Sequence, residues 1–173
     1  MPHEFQLQFD PSEAQQWITC WSKSRYPELE RCAQDAGNRL ANGECSQDLI
    51  DKIAAWKSLR RAGLLKDNSP AALIEAIKFA NILTQPHLAV GLLNALRGVG
   101  VPMASAFLAA MNPRKYTVID YRSLEALGNR AKRHKYAAIY PDYLEFCQSL
   151  IKILKVESLR DVDHALWGWS AAR

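Results

Sequence analysis

Little in this chain points to a membrane, a metal or an oxidising compartment. Its four cysteines, Cys20, Cys32, Cys45 and Cys147, show neither close metal-ligand pairs nor the framework of a small secreted domain, the pattern of a reduced cytoplasmic protein. His87 and His164 have no His or Cys neighbour at ligand spacing, so no metal site is expected on side chains. No apolar run reaches membrane-spanning length, and the opening residues Met1 to Gln6 lack the basic start and apolar core of a secretory signal. Repeats and low-complexity tracts are missing too, and only Phe5 to Phe9 alternates apolar and polar residues as a strand would. These absences predict a cytoplasmic chain, nucleoid-associated in a bacterial cell, with no membrane partner.

What is present is helical. With 173 residues, 49% of them apolar, the chain suits one compact unit spanning 1–173. Ser12 opens a predicted helix to about Lys23, and Pro27 opens another through Leu40, ended by Asn42-Gly43. Ser46 caps a third, in which Leu49, Ile53, Trp56 and Leu59 recur as a buried stripe; Lys57, Arg60 and Arg61 then read as its solvated face, with the lining of a cleft as the alternative. Asn68-Ser69-Pro70 starts a helix over Ala71 to Leu83, and Gln85-Pro86 starts the next. Pro141-Asp142 is expected to begin a long helix to about Lys155, and Ser158 to Asp161 reads as a capping box before the last. The fold class is therefore all-α. A net charge of +4 permits a polyanionic partner without demanding one.

The chemistry concentrates between Pro86 and Gly128. A helix with apolar residues at Leu88, Leu92, Leu93 and Leu96 is stopped by Gly98, and a second, expected over Pro102 to Met111, follows at once. Between them, Leu96-Arg97-Gly98-Val99-Gly100 places two glycines one residue apart. Such a turn tolerates positive φ and bares backbone N–H groups toward a phosphate, at the positive end of the second helix. Val99 is positioned to anchor it. Twenty residues past Gly100 stands Asp120, in front of Tyr-Arg-Ser-Leu-Glu, a good N-cap for another helix.

The segment Leu92 to Gly128 resembles the helix-hairpin-helix DNA glycosylase superfamily. That pattern runs apolar-x-Gly-Val-Gly, small residues on the next helix, a proline-containing loop, apolar-Asp, then apolar-Leu-Gly. Here it reads Leu96 to Gly100, Ala104 and Ala106, Pro113, Val118-Ile119-Asp120 and Ala126-Leu127-Gly128. The resemblance implies a two-lobed helical domain. Its N- and C-terminal helices pack together on one side, a helical barrel holding the hairpin (about 86–112) lies on the other, and a cleft runs between. It also implies double-stranded DNA with an altered base as partner, and a monovalent cation on hairpin backbone carbonyls. Some members carry a C-terminal four-cysteine iron–sulfur cluster, which the cysteines here cannot build.

One position departs from the pattern. Bifunctional members carry a lysine two residues after the second glycine, and this chain has Pro102. The expectation is a monofunctional glycosylase in which Asp120 stabilises positive charge on the sugar and directs water to it, without the covalent imine route. The alternatives are a non-catalytic DNA-binding module that keeps the hairpin, and a helical protein-interaction domain. Arg97, Gly98, Val99, Gly100 and Met103 are the candidate DNA-binding residues at the hairpin. Arg130, Lys132 and Arg133, in a basic cluster continuing through His134 and Lys135, are candidates on a second loop. Trp167 and Trp169 read as core packing rather than a stacking platform. Tyr136, Tyr140 and Tyr143 read as packing residues with hydrogen-bonded hydroxyls. No linear motif identifies the base removed, or separates repair from attack on foreign modified DNA.

Overall fold

Side chains repeating at three- and four-residue spacing bury one stripe on most helices, and four of these helices pack onto a single helix buried nearly all round. A computed structural model describes residues 5–173; the signal-segment reading at Met1 to Gln6 falls largely outside them. In order, the helices are α1 (Ala14–Ser22), α2 (Tyr26–Ala41), α3 (Gln47–Ala62), α4 (Pro70–Ile82), α5 (Pro86–Asn94), α6 (Val101–Met111), α7 (Tyr121–Ala126), α8 (Tyr136–Leu154) and α9 (Leu159–Ala171). The chain is all-α: no strand occurs among the described residues. No described helix is long and apolar enough to cross a membrane.

Helix α6 is the hub. Apart from Pro102 all its residues are buried, and α2, α3, α4 and α5 pack on it. The first helix packs against the last, and α7 and α8 also pack on α9. Two glycines permit the closest approaches. A Cβ on Gly37 would lie 2.2 Å from the Ala110 carbonyl oxygen, and one on Gly168 would lie 2.1 Å from that of Trp17. Gly168→Ala is therefore expected to destabilise the fold by about 1–3 kcal/mol despite alanine's better helix propensity, because α1 and α9 must separate. Gly91, on the open face of α5 with nothing near its missing Cβ, is expected to gain about 0.5–1 kcal/mol on Gly91→Ala. Chemical denaturation of the two variants checks the opposite signs.

Several local expectations shift. Asp10, not Ser12, caps the start: its carboxylate accepts from the Ser12 N–H at 2.8 Å, and a 3₁₀ turn, Pro11–Glu13, leads into α1. Phe5 to Phe9 alternates in burial but bends at Gln8-Phe9 and joins no sheet; the N–H groups of Gln6 and Gln8 donate to the carbonyls of Leu127 and Ala126, orphaned at the end of α7. Helix α8 begins five residues before Pro141. That proline, having no N–H, leaves the Ala137 carbonyl without its helical donor. In α3 the buried stripe ends at Trp56, and Leu59 is 80% exposed. The backbone leaves helical geometry at Ser58 (φ −164°, ψ 97°), which breaks the 3.6-residue period and turns Leu59 outward.

Candidate functional site

The segment from Tyr116 to Asp120 is extended yet buried, so its backbone polar groups need partners away from water. Side chains supply them. Tyr140 donates to the Thr117 carbonyl at 2.9 Å and Tyr143 to the Val118 carbonyl at 2.7 Å, the hydroxyl bonding expected of packed tyrosines. Ser105 of α6 accepts from the Ile119 N–H at 3.1 Å, and Ser123 accepts from that of Asp120 at 3.0 Å. Asp120 is thus held by groups from α6, α7 and α8.

Its two carboxylate oxygens divide their work. Oδ1 accepts from the N–H groups of Arg122 (3.0 Å) and Ser123 (3.1 Å), capping α7. Oδ2 accepts from Lys57 Nζ at 2.5 Å. Burial pushes the carboxyl up, but the Lys57 ammonium and the two backbone donors outweigh it and hold Asp120 below the ordinary carboxylate range. Capping and a charged oxygen toward Lys57 are therefore compatible on one side chain.

Asp120 and Lys57 stand in the wall of a cavity of about 590 Å³ that reaches Gly100, Val101 and Pro102 on one side and α9 on the other. Six arginine and lysine residues line it against three carboxylates, together with six aromatic rings: Trp21, Tyr26, Trp56, Tyr121, Tyr136 and Trp167. Lys57, Arg60 and Arg61 thus face the cavity rather than forming only a solvated surface. Trp167 is on the wall too, with the Arg122 guanidinium 5.2 Å from its ring centre, whereas Trp169 is core as expected. Tyr136 is buried and contributes to the same wall.

A charged cluster forms part of the same wall, with Glu30, Arg160 and Asp163 lining the cavity. Arg160 Nη2 donates to Glu30 Oε2 at 2.6 Å, its Nη1 pairs with Asp163, and His164 Nε2 lies 3.0 Å from Glu30 Oε1. Trp21 stacks on His164 with ring centres 3.5 Å apart, and Arg160 lies over Trp56. Burial raises Asp163, aided by the Asp120 charge, against the lowering pull of Arg160. Arg160, Asp163 and His164 share a helix face by their spacing, but Glu30 joins them from 130 residues away. Among the described residues no group of three His, Cys, Asp or Glu side chains is placed to hold a metal ion.

At the Gly98–Gly100 turn only Gly98 takes positive φ (+80°); its missing Cβ would fall 2.6 Å from Leu64 Cβ. Gly100 is extended (φ −81°, ψ 170°), so two left-handed glycines are not what the turn requires. Val99 is buried and anchors the turn, and Met103 is buried on the cavity wall; neither side chain is on the outer surface. Arg97 is exposed, and Asn68 braces its backbone, accepting from its N–H at 2.8 Å and donating to its carbonyl at 2.9 Å. The N–H groups of Gly98, Gly100 and Val101 have no acceptor among the described residues. The carbonyls of Leu96, Arg97 and Gly100 already accept hydrogen bonds, leaving only those of Gly98 and Val99 bare. Arg130, Lys132 and Arg133 are exposed; of the three, Arg133 borders the cavity, joined by His134. No family model, curated protein or solved structure matches the chain.

Proposed function

We propose that this protein is a helix-hairpin-helix DNA glycosylase that draws an altered base out of duplex DNA into the cavity and hydrolyses its N-glycosidic bond. The observation carrying the reading is the meeting, in one aromatic-lined and cation-rich cavity, of the Asp120 carboxylate with the Gly100–Pro102 turn. The unpaired N–H groups of the turn and the start of α6 bind a backbone phosphate. The rings give an extruded base faces to stack on, and Asp120 opposes the positive charge that grows on the sugar as the bond to the base breaks. The exposed Arg130, Lys132 and Arg133 add salt-dependent contacts to the duplex.

A panel of duplexes, each with one altered base, incubated with protein and then treated with alkali, tests the reading. Strand breaks confined to one class of base support it. Salt-sensitive binding with no alkali-labile site on any base would leave a DNA-binding module without chemistry, and no binding at either low or moderate salt would point to a protein-interaction domain. For the turn, Gly100→Leu is expected to weaken binding to duplexes of any sequence about tenfold, the loss of one charged hydrogen bond. Because the backbone there suits any residue and a Cβ meets nothing closer than 3.8 Å, the melting temperature should hold, and gel shifts with a parallel melt check both halves.

A further inference from the structure

Pro102 removes an amine from the one position where the resemblance places it, but the cavity holds another. Lys57 reaches it from α3, a helix remote from the turn in sequence, and its Nζ sits 2.5 Å from Asp120 Oδ2. Both side chains are mostly shielded, at 15% and 18% exposed, yet both line the cavity. Immediately after Lys57 the helix breaks at Ser58, which separates this lysine from the regular face it would otherwise share with Arg60 and Arg61. An amine and a carboxylate in contact, in the cavity proposed above to receive a nucleotide, are the two groups that imine chemistry on a sugar aldehyde needs.

We infer that Lys57 is the nucleophile of an abasic-site lyase activity, with Asp120 as its proton carrier. The inference rests on the cavity receiving an extruded nucleotide, as proposed above. Asp120 first takes one proton from the Lys57 ammonium; the freed amine attacks C1′ of the ring-opened abasic sugar, a second proton moves from nitrogen to the C1′ oxygen, and that oxygen, given also the proton held on Asp120, leaves as water while the C–N double bond forms. The Asp120 carboxylate then takes a proton from C2′; the C3′–O3′ bond breaks and the 3′ phosphate departs with the electron pair, nicking the strand. Water hydrolyses the unsaturated imine and frees Lys57. No oxidant, reductant or metal enters the balance. Proline excludes the imine at α6 and leaves it open at α3.

The competing role for Lys57 is a counter-ion that only holds Asp120 in place. Lys57→Arg separates the two, since the guanidinium keeps the charge and pairs with a carboxylate but supplies no nucleophilic amine. The full-length protein is mixed with a duplex carrying one preformed abasic site, and borohydride is added to reduce any imine. The expected result is a covalent protein–DNA adduct from the wild-type protein whose cross-linked peptide contains Lys57, at least 10²-fold less adduct from Lys57→Arg with duplex binding within a few-fold, and an undiminished adduct from Lys152→Gln, a distant exposed lysine. No adduct from the folded wild-type protein, or an adduct that survives Lys57→Arg, overturns the inference. Because the abasic site is preformed, the outcome is independent of base release: alkali-labile sites on the damaged-base panel without an adduct would leave the glycosylase reading standing and remove only the lysine's role, and an adduct without base release would do the reverse.

Discussion

Replacing Asp120 by asparagine is expected to slow base release by on the order of 10²-fold or more, while binding to the same duplex changes only a few-fold. The asparagine oxygen can still accept from the Arg122 and Ser123 N–H groups, so the cap on α7 survives. What disappears is the charge on Oδ2, the oxygen beside Lys57. Without it the carboxylate beside Lys57 no longer stands against the cation that develops on the sugar. Removing an anion from a cleft that already favours phosphate gives no reason for weaker binding. Single-turnover excision, read after alkali, and a gel shift on the same oligonucleotide separate the two effects. An Asn variant that releases base at the wild-type rate would reduce Asp120 to a helix cap.

Much of this arrangement was legible locally. Gly98, Pro102 and the apolar spacing on either side announce two helices and a turn, and Asp120 before Tyr121-Arg122-Ser123 announces a cap, because each signal lies within a few residues of its effect. The buried path of Tyr116 to Asp120 was half visible: tyrosines with hydroxyl partners were expected, but not that their partners are the carbonyls that fix Asp120. Three things were not legible. The break at Ser58 has no proline or glycine to mark it, and it decides that Leu59 leaves the core. Lys57 reads as a cation on a solvated face or at a cleft, and its pairing with Asp120, 63 residues on, has no signal in the sequence. Asn68 stands before a helix-starting Ser-Pro pair and reads as part of that start, whereas its amide braces the turn at Arg97. Contacts between residues so far apart leave no periodicity in a single sequence.

Glu30→Ala is expected to cost about 3–5 kcal/mol, a loss on the order of 10 °C in melting temperature for a chain of this length. Glu30 is buried, accepts from Arg160 on both oxygens, Nε to Oε1 at 3.1 Å and Nη2 to Oε2 at 2.6 Å, and faces His164 at Oε1. Its removal leaves the Arg160 guanidinium buried with Asp163 as its remaining carboxylate. Burial pushes Glu30 up, but the charge of Arg160 and the hydrogen bonds from His164 and Arg160 outweigh it, so its carboxyl is held at about 2, well below its ordinary 4.5. A carboxylate depressed on folding stabilises the fold fully above its unfolded value and loses that contribution as pH falls through its folded value. The window is therefore pH 4.5 down to about 2. Asp163, raised on folding, works in the opposite sense. Unfolding midpoints measured across that window should fall steeply with acid in the wild type and more gently in Glu30→Gln, which cannot titrate. The damage reaches the site as well, since Arg160 lies under Trp56 and His164 under Trp21, both on the cavity wall. At a temperature where Glu30→Gln remains folded, base release is therefore expected to drop further than duplex binding; equal pH slopes in the two proteins would show that the cluster contributes nothing through Glu30's charge.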